Sequence, residues 1–275
     1  MKKIFLLLGA VALLLSSCAV QSPFGYSEEY FQALGREGDI VVTVDVERTK
    51  DSQFASFLSS VPDIVLSRSE RISIAMTPEG EGWTMAGAAE GNFPRSLVST
   101  ALDWSTSFRS IEEYAYRAKD GSLEAAIPRN GILLFAEDDI LGHKDRTWDN
   151  RILYIDGGTA RAMAEAPLAL YSLKPVRIPE LFIEFPDSVT VKTEAFLLLI
   201  DAGHVSGWMK MDSASSASTL LKLFRNELVK AVRQRGEKLD TNLLSTYFQT
   251  DGDTVRLDFP MEVFTAVKEG SNAAL

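Results

Sequence analysis

Ile72-Ser73-Ile74-Ala75-Met76 leads through a Gly-rich turn to Gly82-Trp83-Thr84-Met85, and Phe196-Leu197-Leu198-Leu199-Ile200 leads through Ala202-Gly203-His204 to Gly207-Trp208-Met209-Lys210. Each stretch reads as two strands joined by a short turn. The two Gly-Trp pairs stand 125 residues apart. A helix is predicted after each. Its inner-face positions are Leu97, Val98, Ala101, Ser105 and Phe108 in the first half, and Leu220, Leu221, Phe224, Leu228 and Ala231 in the second. Both sets share the spacing of one amphipathic face.

The match continues outward. Tyr116-Arg117-Ala118-Lys119-Asp120-Gly121 precedes an alternating strand that reaches Pro128, and Tyr247-Phe248-Gln249-Thr250-Asp251-Gly252 precedes one that reaches Pro260. Asp-Gly between β-rich runs is a hairpin signal, because Gly takes positive φ freely. Each half closes on an apolar run, Gly131–Phe135 and Met261–Val267. Upstream, Ile40–Val46 is an alternating strand followed by a helix-like Ser52–Leu58. In the second half, Arg151–Ile155 reads as a strand, Ala160–Ala166 as a helix, and a further short segment runs to Leu173. The expected fold is α+β: two similar β-α-β-β-α-β-β units from an internal duplication, on mainly antiparallel sheets. The units would span 39–145 and 146–275, with segment 141–150 as the junction. The sequence is compatible with the two sheets joining or stacking.

The first residues carry a different message. Lys2 and Lys3 precede an unbroken apolar run from Ile4 to Leu15. That is the n-region and h-region of a secretory signal, too short for a spanning helix of about 20 apolar residues. Ala195–Ile200 is shorter still. Leu15-Ser16-Ser17-Cys18 then resembles the lipobox of bacterial lipoproteins, over residues 1–18 only. The resemblance implies cleavage between Ser17 and Cys18. It also implies a diacylglyceryl thioether on Cys18, usually with an amide-linked acyl chain. Ser17 departs slightly from the commoner Gly or Ala but is small enough for the peptidase. Residues 1–17 are thus expected to be signal, and 18–38 the lipidated N-terminus and tether. Cys18 is the sole cysteine, so no internal disulfide can form, and acylation would remove an exposed thiol. Ala19 and Val20 follow where Asp would signal inner-membrane retention, which favours the outer membrane.

Loss of Lys2 and Lys3 takes the formal charge from −10 to −12. An acidic chain argues against a nucleic-acid partner, whose phosphates demand clustered cations. It also disfavours attraction to anionic lipid heads, so lipid on Cys18 must hold the membrane.

No G-x-G-x-x-G, G-x-x-x-x-G-K, G-x-S-x-G or H-E-x-x-H motif is present. Only His143 and His204 are available, which excludes a histidine-rich metal site. Glu137, Asp138 and Asp139 with His143 and Asp145 match no calcium loop and read as a solvated acidic loop. Asp201 and His204 sit in a hairpin turn and read as turn chemistry. Ser213–Ser218 reads as a helix start, where hydroxyls cap free N–H groups. Trp83 and Trp208 are ligand-stacking candidates, read first as packing. Lys222, Arg225, Lys230, Arg233 and Arg235 read as a solvated helix face, with contact to lipid heads or an acidic partner as the functional alternative.

The expectation is a membrane-anchored envelope lipoprotein with a non-catalytic binding or structural role, no metal and no cofactor. Its partner would be an envelope protein or an apolar ligand. A carrier of lipid in a cleft between the units is the alternative, and a hydrolase the third reading.

Overall fold

The computed structural model describes residues 32–50, 52, 55–58, 61–80, 82–175, 192–201, 203–234 and 241–261. The signal, Ser17, Cys18, most of the tether and the run 262–267 lie outside them.

Chain order begins β1 (Ile40–Asp45), α1 (Val46–Thr49), a 3-10 turn at Ala55–Leu58, α2 (Asp63–Leu66), β2 (Ser69–Glu79), β3 (Gly82–Gly91) and α3 (Arg95–Trp104). Then come β4 (Phe108–Glu112), β5 (Ala115–Ala118), β6 (Glu124–Ala126), β7 (Ile132–Ala136), α4 (Ile140–Lys144) and α5 (Gly157–Glu165). The remainder is β8 (Leu168–Leu173), β9 (Thr193–Asp201), β10 (His204–Met211), α6 (Ala214–Gln234), α7 (Thr241–Tyr247), β11 (Phe248–Asp251) and β12 (Thr254–Pro260).

The strands form one 12-stranded sheet in the order β11-β12-β10-β9-β8-β1-β2-β3-β7-β6-β5-β4. Every pairing is antiparallel. At its middle β1 pairs β8, Val44 opposite Leu168. From that seam β1-β2-β3 and β8-β9-β10 run outward as two meanders, each followed by a helix. The α+β class and antiparallel pairing hold, and the halves share a single sheet rather than stacking.

Alternation along the strands sorts side chains to two faces. Ile40, Val42, Val44, Ile72, Leu168, Leu170, Phe196, Leu198 and Ile200 point to the first face, under α6. Val41, Ala75, Ala88, Ile132, Leu134, Ala169, Tyr171 and Leu197 point to the second, under α4 and α5. From α6, Ala217, Leu220, Phe224, Leu228 and Val232 are buried, at the spacing of one stripe. Phe224 stacks on Phe248, with ring centroids 5.5 Å apart. The hairpin turns at Asp120-Gly121 and Asp251-Gly252 form as expected, with Gly121 at φ +75° and Gly252 at φ +62°.

Several expectations are corrected. Arg151–Ile155 is not a strand. It is an irregular segment whose Tyr154 and Ile155 N–H groups donate to the Gln32 carbonyl, and Ile152 and Leu153 are exposed. The first strand of the second half is instead β8, so α5 precedes the meander. The helix predicted through Phe108 stops at Trp104, because Ser105 turns extended (ψ 135°), and Phe108 opens β4. The 3-10 turn Ala55–Leu58 is the only helical structure among the described residues of 52–58. The two Gly-Trp pairs sit at different depths. Gly82 opposes Glu79 at a hairpin tip, whereas Gly207 lies mid-strand between Leu198 and Leu257. A side chain at 207 would meet the Leu197 carbonyl at 2.0 Å. α4 continues into a π-turn, Asp145–Asp149.

Candidate functional site: a polar pocket on the second face

The second face carries polar residues into the interior. Arg71 on β2 is buried, and its guanidinium donates to the Ala164 carbonyl (2.7 Å), the Ala166 carbonyl (3.3 Å) and Thr43 Oγ1 (3.3 Å). Asp45 lies 3.5 Å away. The cation thus sits where α5 ends and satisfies carbonyls that the helix leaves free.

Beyond Arg71 on the same face, a pocket of about 360 Å³ opens between residues 33–36, the β2–β3 hairpin, α4 and Tyr154. Its small-residue lining, Ala75 and Ala86, leaves the space. Asp39, just before β1, is 5% exposed. It accepts from Thr77 Oγ1 at 2.8 Å and from the Arg36 N–H at 3.0 Å. The Arg36 guanidinium stands 3.6 Å away. Burial raises the Asp39 carboxyl above its ordinary range, and these hydrogen bonds and the Arg36 charge oppose the rise.

His143 on α4 is 2% exposed and lines the same pocket. Its Nε2 lies 3.3 Å from the Gly87 carbonyl. A carbonyl only accepts, so the ring proton belongs on Nε2 and Nδ1 is left as an acceptor. Burial depresses the His143 pKa to about 4, keeping the ring neutral. Thr147 Oγ1 ties the turn down by donating to the His143 carbonyl at 2.7 Å.

The start of α4 is fixed by two carboxylates. Asp139, at φ +48°, accepts from the Gly142 N–H at 3.2 Å, and a Cβ at 142 would strike its Oδ2 at 2.2 Å. Buried Glu124 accepts from the Ile140 N–H at 2.9 Å and pairs with Arg117. Four carboxylates (Asp39, Glu79, Asp138, Asp139) and two cations (Arg36, Arg146) line the pocket.

The predicted candidates fall in separate places. Glu137 accepts from the Met85 N–H at 3.1 Å, Asp139 caps α4, and Asp145 pairs with Asn150. Of that cluster only Asp138, Asp139 and His143 reach the pocket. Among the described residues no group of His, Cys, Asp and Glu could hold a metal ion. Asp201 takes both oxygens to Arg48 at 3.1 Å, while His204 pairs with Asp258 across β10 and β12. Ser213 Oγ accepts from the Ser216 N–H at 3.1 Å and caps α6. Trp83, 36% exposed, opposes Pro78 near a hairpin tip. Trp208 packs partly buried on the second-face core. Neither lines the pocket. Lys222, Lys230 and Arg233 are exposed on α6, and Arg225 donates to the Phe248 carbonyl at 2.8 Å. Arg235 lies outside the described residues.

Asp39, Thr77, Arg36, Arg146 and Tyr154 escaped the sequence reading. One signal was present. Asp39, Val41, Thr43 and Asp45 share a face of β1, and all but Asp45 are buried.

Among the described residues no helix is long and apolar enough to cross a membrane. No protein-family model matches the chain, and no curated protein does. Its fold is similar to that of solved structures of TP0453. Crystal form I aligns at a TM-score of 0.55 and 11% identity, covering 92% of this chain and 98% of that one. Crystal form III aligns at 0.54 and 11%, covering 92% and 99%. Crystal form IV aligns at 0.50 and 10%, covering 95% and 99%. At such identities the likeness concerns architecture.

Proposed function

We propose that this chain is a membrane-anchored envelope lipoprotein whose folded domain has a binding role without catalysis. The anchor is supported by the two cations, apolar run and Leu15-Ser16-Ser17-Cys18 of the leader. Ala19 and Val20 favour delivery to the outer membrane.

One observation carries the binding role. The second face holds a pocket whose ionisable side chains are engaged in holding its walls: Asp39 by Thr77, His143 by Gly87, Asp139 by Gly142. These contacts fix the walls as a preformed cavity and leave acceptor lone pairs on the same side chains, which suits recognition. Most of its lining residues are polar. A lipid carrier would instead call for an apolar cleft.

The two halves read as a duplication. The central β1–β8 pair starts two outward meanders, each followed by a helix.

The anchor is tested with Cys18→Ala. Wild-type chain should float with membranes and carry acyl mass on its N-terminal peptide. Two or more acyl chains hold stably, at about 0.8 kcal/mol per buried methylene. The variant should lose both properties, and a Cys18→Ala chain that stays membrane-bound would refute the anchor.

A further inference from the structure

The hydrogen-bonding character of the pocket is lopsided. His143 lines the pocket with its Nε2–H spent on the Gly87 carbonyl, which leaves Nδ1 as the ring's acceptor. That ring is 2% exposed. A neutral imidazole acceptor at a cavity wall is matched only by a donor on whatever enters. The Asp39 carboxylate, 5% exposed, is a second deep acceptor. Asp138 and Glu79 add acceptors nearer the mouth, where both are exposed. The two cations are offset: Arg36 stands 3.6 Å from Asp39 and Arg146 3.7 Å from Asp139. An anion entering would face a net acidic wall and an imidazole with no proton to give. A cation with several N–H donors meets acceptors at both depths.

We infer that the pocket binds a small organic cation bearing a primary ammonium or guanidinium group, with its N–H donors directed at His143 Nδ1 and Asp39. The inference rests on the binding reading above and narrows it to one ligand class. Tyr154 and Ala33–Arg36 close the wall where the tether joins the domain, since Tyr154 N–H donates to the Gln32 carbonyl at 2.6 Å. Occupancy should therefore also protect the amides of residues 33–36 from exchange.

Calorimetric titration of the full-length acylated protein in detergent tests this. The probes are putrescine, the dianion succinate and neutral butanediol, all on four-carbon chains. Putrescine should bind with Kd below about 1 mM while the other two give no heat to about 10 mM. Asp39→Asn should weaken putrescine at least about tenfold. Should that variant fail to fold by circular dichroism, the exposed pair Glu79→Gln and Asp138→Asn serves instead, with a loss of about threefold or more. Absence of putrescine binding, or an unchanged Kd in a folded Asp39→Asn protein, overturns the inference. Preferential binding of succinate or butanediol also overturns it, yet leaves the binding reading standing. Membrane flotation of Cys18→Ala reports on the anchor independently.

Discussion

The two faces of the sheet are built on opposite rules. The first is apolar along the central strands, and α6 lays five buried side chains onto it. Burying Leu220 or Leu228 there removes apolar surface worth roughly 1.5–3 kcal/mol each. The second face mixes apolar side chains with buried Thr43, Arg71, Ser73 and His143, and holds its helices partly by hydrogen bonds. Ser73 Oγ donates to Thr43 Oγ1 at 2.8 Å, and Arg71 caps α5. A face that must only cohere can be greasy. The face that keeps an open, structured cavity holds its walls apart with directional contacts, whose buried polar groups are costly if left unmatched.

That contrast can be broken most forcefully at Arg71. Arg71→Ala leaves two carbonyls and Asp45 without their cation, so a loss of roughly 3–5 kcal/mol is expected from the denaturant midpoint at unchanged m. Arg71→Met should recover part of it by refilling volume. A loss under about 1 kcal/mol would show that this face coheres by burial, like the other. On the first face, Leu228→Ala should cost about 2–5 kcal/mol through its cavity. Leu97→Ala on α3, where no residue is buried, should cost under about 0.5 kcal/mol. Equal losses would contradict the difference in burial between the two helices.

The pH dependence is the sharpest in sign. Folded His143 takes its proton near pH 4, against 6.5 when unfolded. Its contribution is intact above pH 6.5 and is lost as pH falls toward 4, at up to about 1.4 kcal/mol per unit. Asp39 acts oppositely. Its raised carboxyl pKa means the folded state gains a proton first, so acidification favours folding there. Replacing His143 with Gln should flatten the stability profile between pH 6.5 and 4. Parallel profiles for the two proteins would refute this account of the ring.

Much of the first face was legible because its signals are local. Leu220, Phe224 and Leu228 recur at helical spacing, and Asp120-Gly121 and Asp251-Gly252 announce their turns. The matched spacing on α3 misled, because periodicity gives a helix a face without saying what covers it. Arg151–Ile155 has strand-forming residues but found no partner strand, since β-propensity measures fit to a sheet more than an urge to join one. The Gly-Trp match misaligned because a glycine at a hairpin tip and one under a crossing carbonyl look alike in sequence. The pocket was illegible for a deeper reason. Asp39, Thr77, His143 with Arg146, and Tyr154 come from four separate stretches. On an alternating strand, polar positions such as Asp39 and Thr43 read as solvent-facing, whereas here a second helical layer covers them.

The β1–β8 seam also governs how the chain reaches this fold. β2 and β3, and likewise β9 and β10, are separated by two residues, and hairpins of that kind close in about 1–10 microseconds. The seam joins Val44 to Leu168, 124 positions along the chain. Closing a loop of that length costs about 4 kcal/mol of chain entropy beyond a constant, before a single contact across it forms. The two half-sheets can therefore condense first and meet last. The encounter of β1 with β8 is expected to limit the rate, and changes at Val42, Val44, Leu168 or Leu170 should act on the folding rate rather than only on the final stability.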